Sequence, residues 1–130
     1  MTIERTTDQS TAKVADRIEA AAKSHGFGVL HSYDFKETLR EKGHPIDFEC
    51  RVLELCSPAI AQQVLARDAS LAAALPCRIA VFEQDGTTRV SMIGPMQLLA
   101  LVSDDADIRP RAQEVEQRLT GLMDEVTSGV

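Results

Sequence analysis

The sequence predicts a single α+β domain, a four- or five-stranded, mostly antiparallel sheet with helices covering one face. Three observations carry this reading. A chain of 130 residues is long enough for one core and too short for two. Short β-prone runs alternate with stretches whose apolar residues recur at helical spacing. Finally, Gln84-Asp85-Gly86-Thr87 joins two such runs through Asp-Gly, a pair suited to the type I′ hairpin turn, which makes those two strands antiparallel. Residues 1–130 form this one domain, with no internal repeat, low-complexity tract or linker.

The elements follow in order. Thr2 to Thr6 alternates threonine with Ile3 and charge, as a short edge strand does. A helix runs from about Ser10 to His25, with Asp8 or Ser10 as its N-cap. Its stripe is Val14, Ile18, Ala21 and Ala22, and Gly26 is its left-handed stop. Phe27 to Tyr33 is a strand. Asp34 opens the next helix, Glu37 stands where a capping box places it, and Gly43 and Pro45 end that helix. Phe48 to Cys56 is the clearest strand, bounded by Pro45 and by Ser57-Pro58.

Ser57 as N-cap and Pro58 at the first helical position are a strong start signal, because proline has no N–H to lose there. Ile60, Val64 and Leu65 give that helix its apolar face. Leu71, Ala74 and Leu75 continue a second stretch after Asp68, and Pro76 closes it. Cys77 to Glu83 and Thr88 to Ile93 are the hairpin strands. Pro95 starts a short apolar helix, and Asp107 is the expected cap of the last one, where Ala112, Val115, Leu119, Leu122 and Val126 form a stripe. Glu114 and Arg118, four apart, pair on a more exposed face.

Composition removes several function classes. Fourteen basic against twenty acidic side chains leave a net charge of −6, the wrong sign for tracking phosphates, so neither nucleic acid nor an anionic membrane surface is an expected partner. Aromatic residues are 4% of the chain, with no Trp and only Tyr33 as tyrosine, which also disfavours a base-stacking platform. Three cysteines are an odd, sparse set, unlike a secreted disulfide framework. The first residues lack the basic and apolar regions of a signal peptide, and no apolar run approaches the roughly 18–20 residues of a membrane span. A cytoplasmic location is expected.

The motifs of the common enzyme classes are missing. There is no G-x-S-x-G elbow, Walker A loop, H-E-x-x-H or dinucleotide glycine fingerprint. Gly26-Phe27-Gly28 follows a helix and precedes a strand, the reverse of the order a phosphate cradle needs. Cys50 and Cys56 share one strand face about 20 Å apart, at roughly 3.3 Å per residue, too far to share a metal. Neither a metal nor a cofactor is expected.

A candidate pocket remains, at the end of the sheet where Cys56 leaves its strand and Ser57-Pro58 opens a helix. Unpaired helix amides there can face an anion and can lower the pKa of the Cys56 thiol. Cys77 comes to the same end if the two strands run antiparallel. The alternative is that both thiols are small core hydrophobes and Ser57 merely caps its helix. Glu54 shares a face with Phe48, Cys50, Val52 and Cys56, one pleat from the rim. It is expected at an edge or a bulge, or else partly buried with a raised pKa. Of the histidines, His25 sits in a helix's last turn, His31 in mid-strand beside Val29 and Tyr33, and His44 in a loop. Arg109 and Arg111 read as surface residues.

The stretch Leu53-Glu54-Leu55-Cys56-Ser57-Pro58, with Leu75-Pro76-Cys77-Arg78-Ile79-Ala80-Val81-Phe82-Glu83 and Asp85-Gly86, resembles domain-of-unknown-function family 302. Gly26-Phe27-Gly28-Val29-Leu30, Tyr33 to Leu39, Glu41-Lys42-Gly43 and Pro95 match it as well. The family commonly has Asn where this chain has Ser57, and a small or apolar residue where it has Glu54. The resemblance implies a TATA-binding-protein-like α+β fold, bacterial and usually dimeric, and names no reaction.

The leading expectation is therefore a non-enzymatic, homodimeric module that binds an unidentified small ligand or protein. Its dimer surface would be the uncovered sheet face or the C-terminal helix. The runner-up is a thiol-dependent redox or sulfur-transfer activity centred on Cys56 and Cys77. A third option is a small apolar ligand or haem-like cofactor in a sheet–helix cleft.

Overall fold

The computed structural model describes residues 2–129. Its strands are β1 (Thr2–Thr7), β2 (Gly28–Asp34), β3 (Cys50–Cys56), β4 (Cys77–Gln84) and β5 (Thr87–Ile93), and its helices are α1 (Thr11–Ala21), α2 (Phe35–Glu41), α3 (Pro58–Arg67), α4 (Pro95–Val102) and α5 (Arg109–Thr127). One 3₁₀ turn, Ala22–His25, extends α1, and another, Ala69–Ala74, follows α3. The strands form one sheet in the order β1-β5-β4-β3-β2. Every neighbouring pair is antiparallel.

Local chemistry places most boundaries. Ser10 caps α1 by accepting from the Lys13 amide at 3.2 Å, and Gly26 ends the following turn at φ 88°. Asp34 caps α2 through the Glu37 amide at 3.1 Å, but Glu37 turns to Arg40 instead of closing a capping box. Asp85 and Gly86 both take positive φ, and Gln84 pairs directly with Thr87, which makes the hairpin a two-residue turn. Gly94 precedes α4, whose first free amide, that of Met96, is taken by Glu116 from α5 at 3.2 Å.

Two expectations about helices are corrected. Asp107 does not cap α5: the residue before that helix is Ile108. Asp107 and Asp105 instead reach across to Arg67 at the end of α3, at 2.6 and 2.7 Å. On α3 only Ile60 and Val64 of the expected face are buried, while Leu65 is 37% exposed, because the 3₁₀ turn with Leu71 and Ala74 supplies the remaining cover.

The pleat separates two faces. Leu53, Leu55, Ile79, Val81, Val90 and Met92 point to one side and bury against Val14 and Ile18 of α1, Val64 of α3 and Leu119 and Leu122 of α5. Each such side chain adds about 1.5–3 kcal/mol on burial. The whole stripe of α5, from Ala112 to Val126, is buried in this core, so it is not available as the dimer surface expected of it. The register puts Glu4, Ser91, Ala80, Val52 and Tyr33 in one row on the opposite face, beside Thr6, Arg89, Phe82 and Cys50.

Candidate functional site

Strand β3 ends at Cys56, and the chain turns at Ser57 into α3. Strand β4 begins at Cys77, paired with Leu55. Antiparallel pairing thus brings the two cysteines to one end of the sheet, and the pleat gives Cys77 the helix-covered face and Cys56 the other. Behind them lies a cavity of about 210 Å³. Its walls are the end of the sheet (Leu55, Met92), α3 (Ile60, Val64), the 3₁₀ turn before β4 (Ala74), α4 (Leu98, Leu99) and α5 (Val115, Leu119). Cys56, Ser57, Cys77, Arg78, Ile93 and Arg111 also line it, and Arg78, Ile93 and Arg111 are exposed, which marks its mouth.

Of the five residues singled out from the sequence, Cys56, Ser57 and Cys77 line this cavity. Pro58 stands at the first position of α3, where it sets the helix direction, and is exposed. It borders a shallower depression on the other side, with Glu19, Lys23 and Gly26. Glu54 does not line the cavity. It sits on the opposite sheet face, 9% exposed, in an interior strand. The one irregularity nearby is in β2, between Val29 and His31, so neither an edge nor a bulge in β3 relieves this carboxylate. It is answered instead by partners: the Tyr33 hydroxyl donates to Oε1 at 3.0 Å, and Arg78 approaches Oε2 at 3.2 Å. His31 packs on Tyr33 with ring centroids 4.3 Å apart, and Phe35 stacks on Tyr33 at 5.9 Å. The hydrogen bond to Glu54 raises the Tyr33 pKa above its usual 10.0.

Ser57 occupies the cap position of α3, with its carbonyl accepting from Ala61 at 2.9 Å, but its side chain makes no capping bond. The sequence signal located the helix start correctly and misassigned the hydroxyl. Of the two readings of the thiols, the packing one fits better than the activated one. The Cys56 pKa is raised, through burial, where helix amides could have lowered it. Cys77 is pushed up from 9.0 to about 11, first by burial and then by the neighbouring Cys56 thiolate charge. Burial raises Cys50 too, with Asp34 adding to it. A wall made of apolar side chains favours neutral thiols, and the amides at the start of α3 do not reverse that.

Arg78 and Arg111 were not part of the candidate set. Arg78 could have been noticed as the residue opposite Glu54 once the β3–β4 register is known. Arg111 reaches the site only because α5 packs against α4, which no local signal announces. Among the described residues no group of three or more His, Cys, Asp or Glu is placed to hold a metal ion. Among the described residues no helix is long and apolar enough to cross a membrane.

The comparisons agree with this architecture. The chain is similar to the crystal structure of an uncharacterised conserved DUF302 protein from Bacillus stearothermophilus, at 29% identity and a TM-score of 0.90, over 96% of this chain and 97% of that one. No curated protein matches the chain. The model of the family described as "Domain of unknown function DUF302" matches residues 3–126, nearly the entire chain and all five strands. The chain therefore belongs to the DUF302 family.

Proposed function

We propose that this chain is a binding module that takes a small, largely apolar molecule into the cavity beneath α3 and works as a homodimer. The observation that carries the reading is the cavity itself. Protein interiors are ordinarily packed to crystal density, and an apolar void of this kind costs stability unless something fills it. An engineered apolar cavity of about 150 Å³ already binds benzene, and this one is larger, at about 210 Å³ with an exposed mouth.

The dimer half of the reading rests on the uncovered sheet face. The chain as a whole is strongly acidic, yet this face carries Glu4 and Glu54 against Arg78 and Arg89, which balances to zero formal charge. A second copy meets it without net repulsion. Half-buried Val52, Ala80 and Phe82 give it an apolar centre, and Arg89 Nε is a buried donor lacking a partner that a facing copy can satisfy. Native mass spectrometry tests both halves. A mass near twice 14.2 kDa, with octan-1-ol retained as a one-per-chain adduct, is the expected result. A 14 kDa species with no adduct at saturating octan-1-ol overturns the reading.

The thiol reading has one observation in its favour, that Cys56 and Cys77 border the same cavity. Both are raised in pKa, which removes the thiolate that redox or sulfur-transfer chemistry needs at neutral pH. In the binding reading the two sulfurs are polarisable wall.

A further inference from the structure

We infer that a second copy closes the mouth of the cavity, so that each binding site is complete only in the dimer, and ligand binding and dimerisation strengthen one another. The assignment rests on both halves of the reading above and adds the link between them. The cavity and the proposed dimer face share residues. Cys56, Arg78 and Ile93 line the cavity, and all three carry their side chains on the uncovered sheet face. Cys56 stands two residues from Glu54 along β3, Ile93 two residues from Ser91 along β5, and Arg78 pairs with Glu54 across β3 and β4. Even spacing along a strand keeps side chains on one face. Their neighbours Leu55, Ile79 and Met92 point the other way, into the core.

Area decides whether a dimer on this face reaches the rim. Five strands about 4.8 Å apart, each about seven residues long at roughly 3.3 Å per residue, make a face of about 500 Å² in plan. A stable interface takes about 800 Å² from each partner. The dimer therefore uses the whole face, the rim with Arg78 and Ile93 included. Charge agrees: Glu4 and Glu54 balance Arg78 and Arg89 on this face, so the second copy meets no net repulsion at the rim. Glu54, 3.2 Å from Arg78 and itself held by the Tyr33 hydroxyl, keeps that guanidinium on the dimer side of the mouth.

Closure acts on the ligand itself. Scaling from six carbons in about 150 Å³, the cavity holds about eight non-hydrogen atoms, so the outer end of an octan-1-ol molecule lies in the mouth. In a single chain that end faces water beside Ile93, which is 53% exposed. A second copy takes both out of water at once. Each methylene so covered is worth about fourfold in affinity, and one or two of them give about tenfold. Linkage makes the effect reciprocal: what the dimer adds to the ligand's affinity, the ligand adds to the dimer's.

Octan-1-ol and the oligomeric state test this together. Phe82→Asp breaks the dimer at the centre of the face, at a residue that does not line the cavity. Calorimetry should find octan-1-ol bound about tenfold more weakly by this variant than by the unaltered chain. Sedimentation equilibrium of the unaltered chain should find the dimer about a hundredfold tighter in saturating octan-1-ol, tenfold for each of its two sites. The second measurement needs no variant and decides alone if Phe82→Asp does not fold. Equal affinity of monomer and dimer for octan-1-ol, or a dimer unchanged or loosened by it, overturns the closure while the cavity and dimer readings stand. A chain that binds no octan-1-ol, or stays monomeric in it, overturns the reading beneath and the closure with it.

Discussion

A carboxylate inside a sheet persists only when its charge is answered, and Glu54 has two answers, one neutral and one cationic. The Tyr33 hydroxyl donates at 3.0 Å and Arg78 lies at 3.2 Å. Because this is the chain's one tyrosine and there is no tryptophan, ultraviolet titration reads Tyr33 alone. The Glu54 hydrogen bond holds the phenol in its neutral form, so the midpoint should lie above 10.0, and Glu54→Gln should bring it down. The sign follows from linkage. With a raised folded pKa, the contribution is complete below the unfolded value and is lost as pH rises through the folded one. Cys77 obeys the same rule: its stabilisation is present below 9.0 and disappears as pH climbs toward about 11. Chemical unfolding across that window should show a smaller decline in Cys77→Ala than in the unaltered chain. Alkylation of Cys56 and Cys77 by iodoacetamide at neutral pH should be no faster than that of free cysteine; faster reaction would restore the thiol reading.

At the scale of elements, α5 is the longest helix and is fastened at its middle and its end by other elements. Near its middle Glu116 caps α4 through the Met96 amide. At its end the Arg17 guanidinium of α1 donates to the carbonyls of Glu125, Val126 and Ser128 at 2.9, 2.8 and 3.1 Å. They lie in the last turn, where a helix runs out of its own donors, and although Ser128 also bonds the Glu125 carbonyl, the cation meets the negative end of the dipole. Arg17→Ala is expected to cost about 1–2 kcal/mol. Hydrogen exchange should localise the loss to the last turn of α5, whereas protection unchanged there would mean that packing alone holds it. Such long-range clamps are what the sequence conceals. Asp107 was placed as a cap because an acidic residue before an amphipathic stretch usually is one. Only the approach of α3 to the following loop reveals that Asp105 and Asp107 serve Arg67.

For the whole molecule, features legible in sequence are those fixed by neighbours within a turn or two: the Asp85-Gly86 hairpin, the Gly26 stop, the Pro58 helix start and the α5 stripe. Pairing across the sheet was legible only for the hairpin, because helical crossovers permit either strand direction. For that reason Glu54 was left between an edge, a bulge and a partly buried position, and it is buried, with Tyr33 and Arg78 as partners. The cavity's location at the end of β3 followed from local signals, but Arg111 and the walls from α4 and α5 required the tertiary packing. On the other side of the sheet, Phe82→Asp places an unpaired charge at the centre of the proposed dimer face. Light scattering should then report a monomer near 14.2 kDa with an unchanged circular dichroism spectrum; an intact dimer would move the interface elsewhere. Xenon diffraction checks the cavity itself, because xenon enters dry apolar space without needing any polar partner. Xenon density is expected between Val64, Leu99 and Val115. A xenon-free site, closed by those side chains or filled with hydrogen-bonded water, would contradict it.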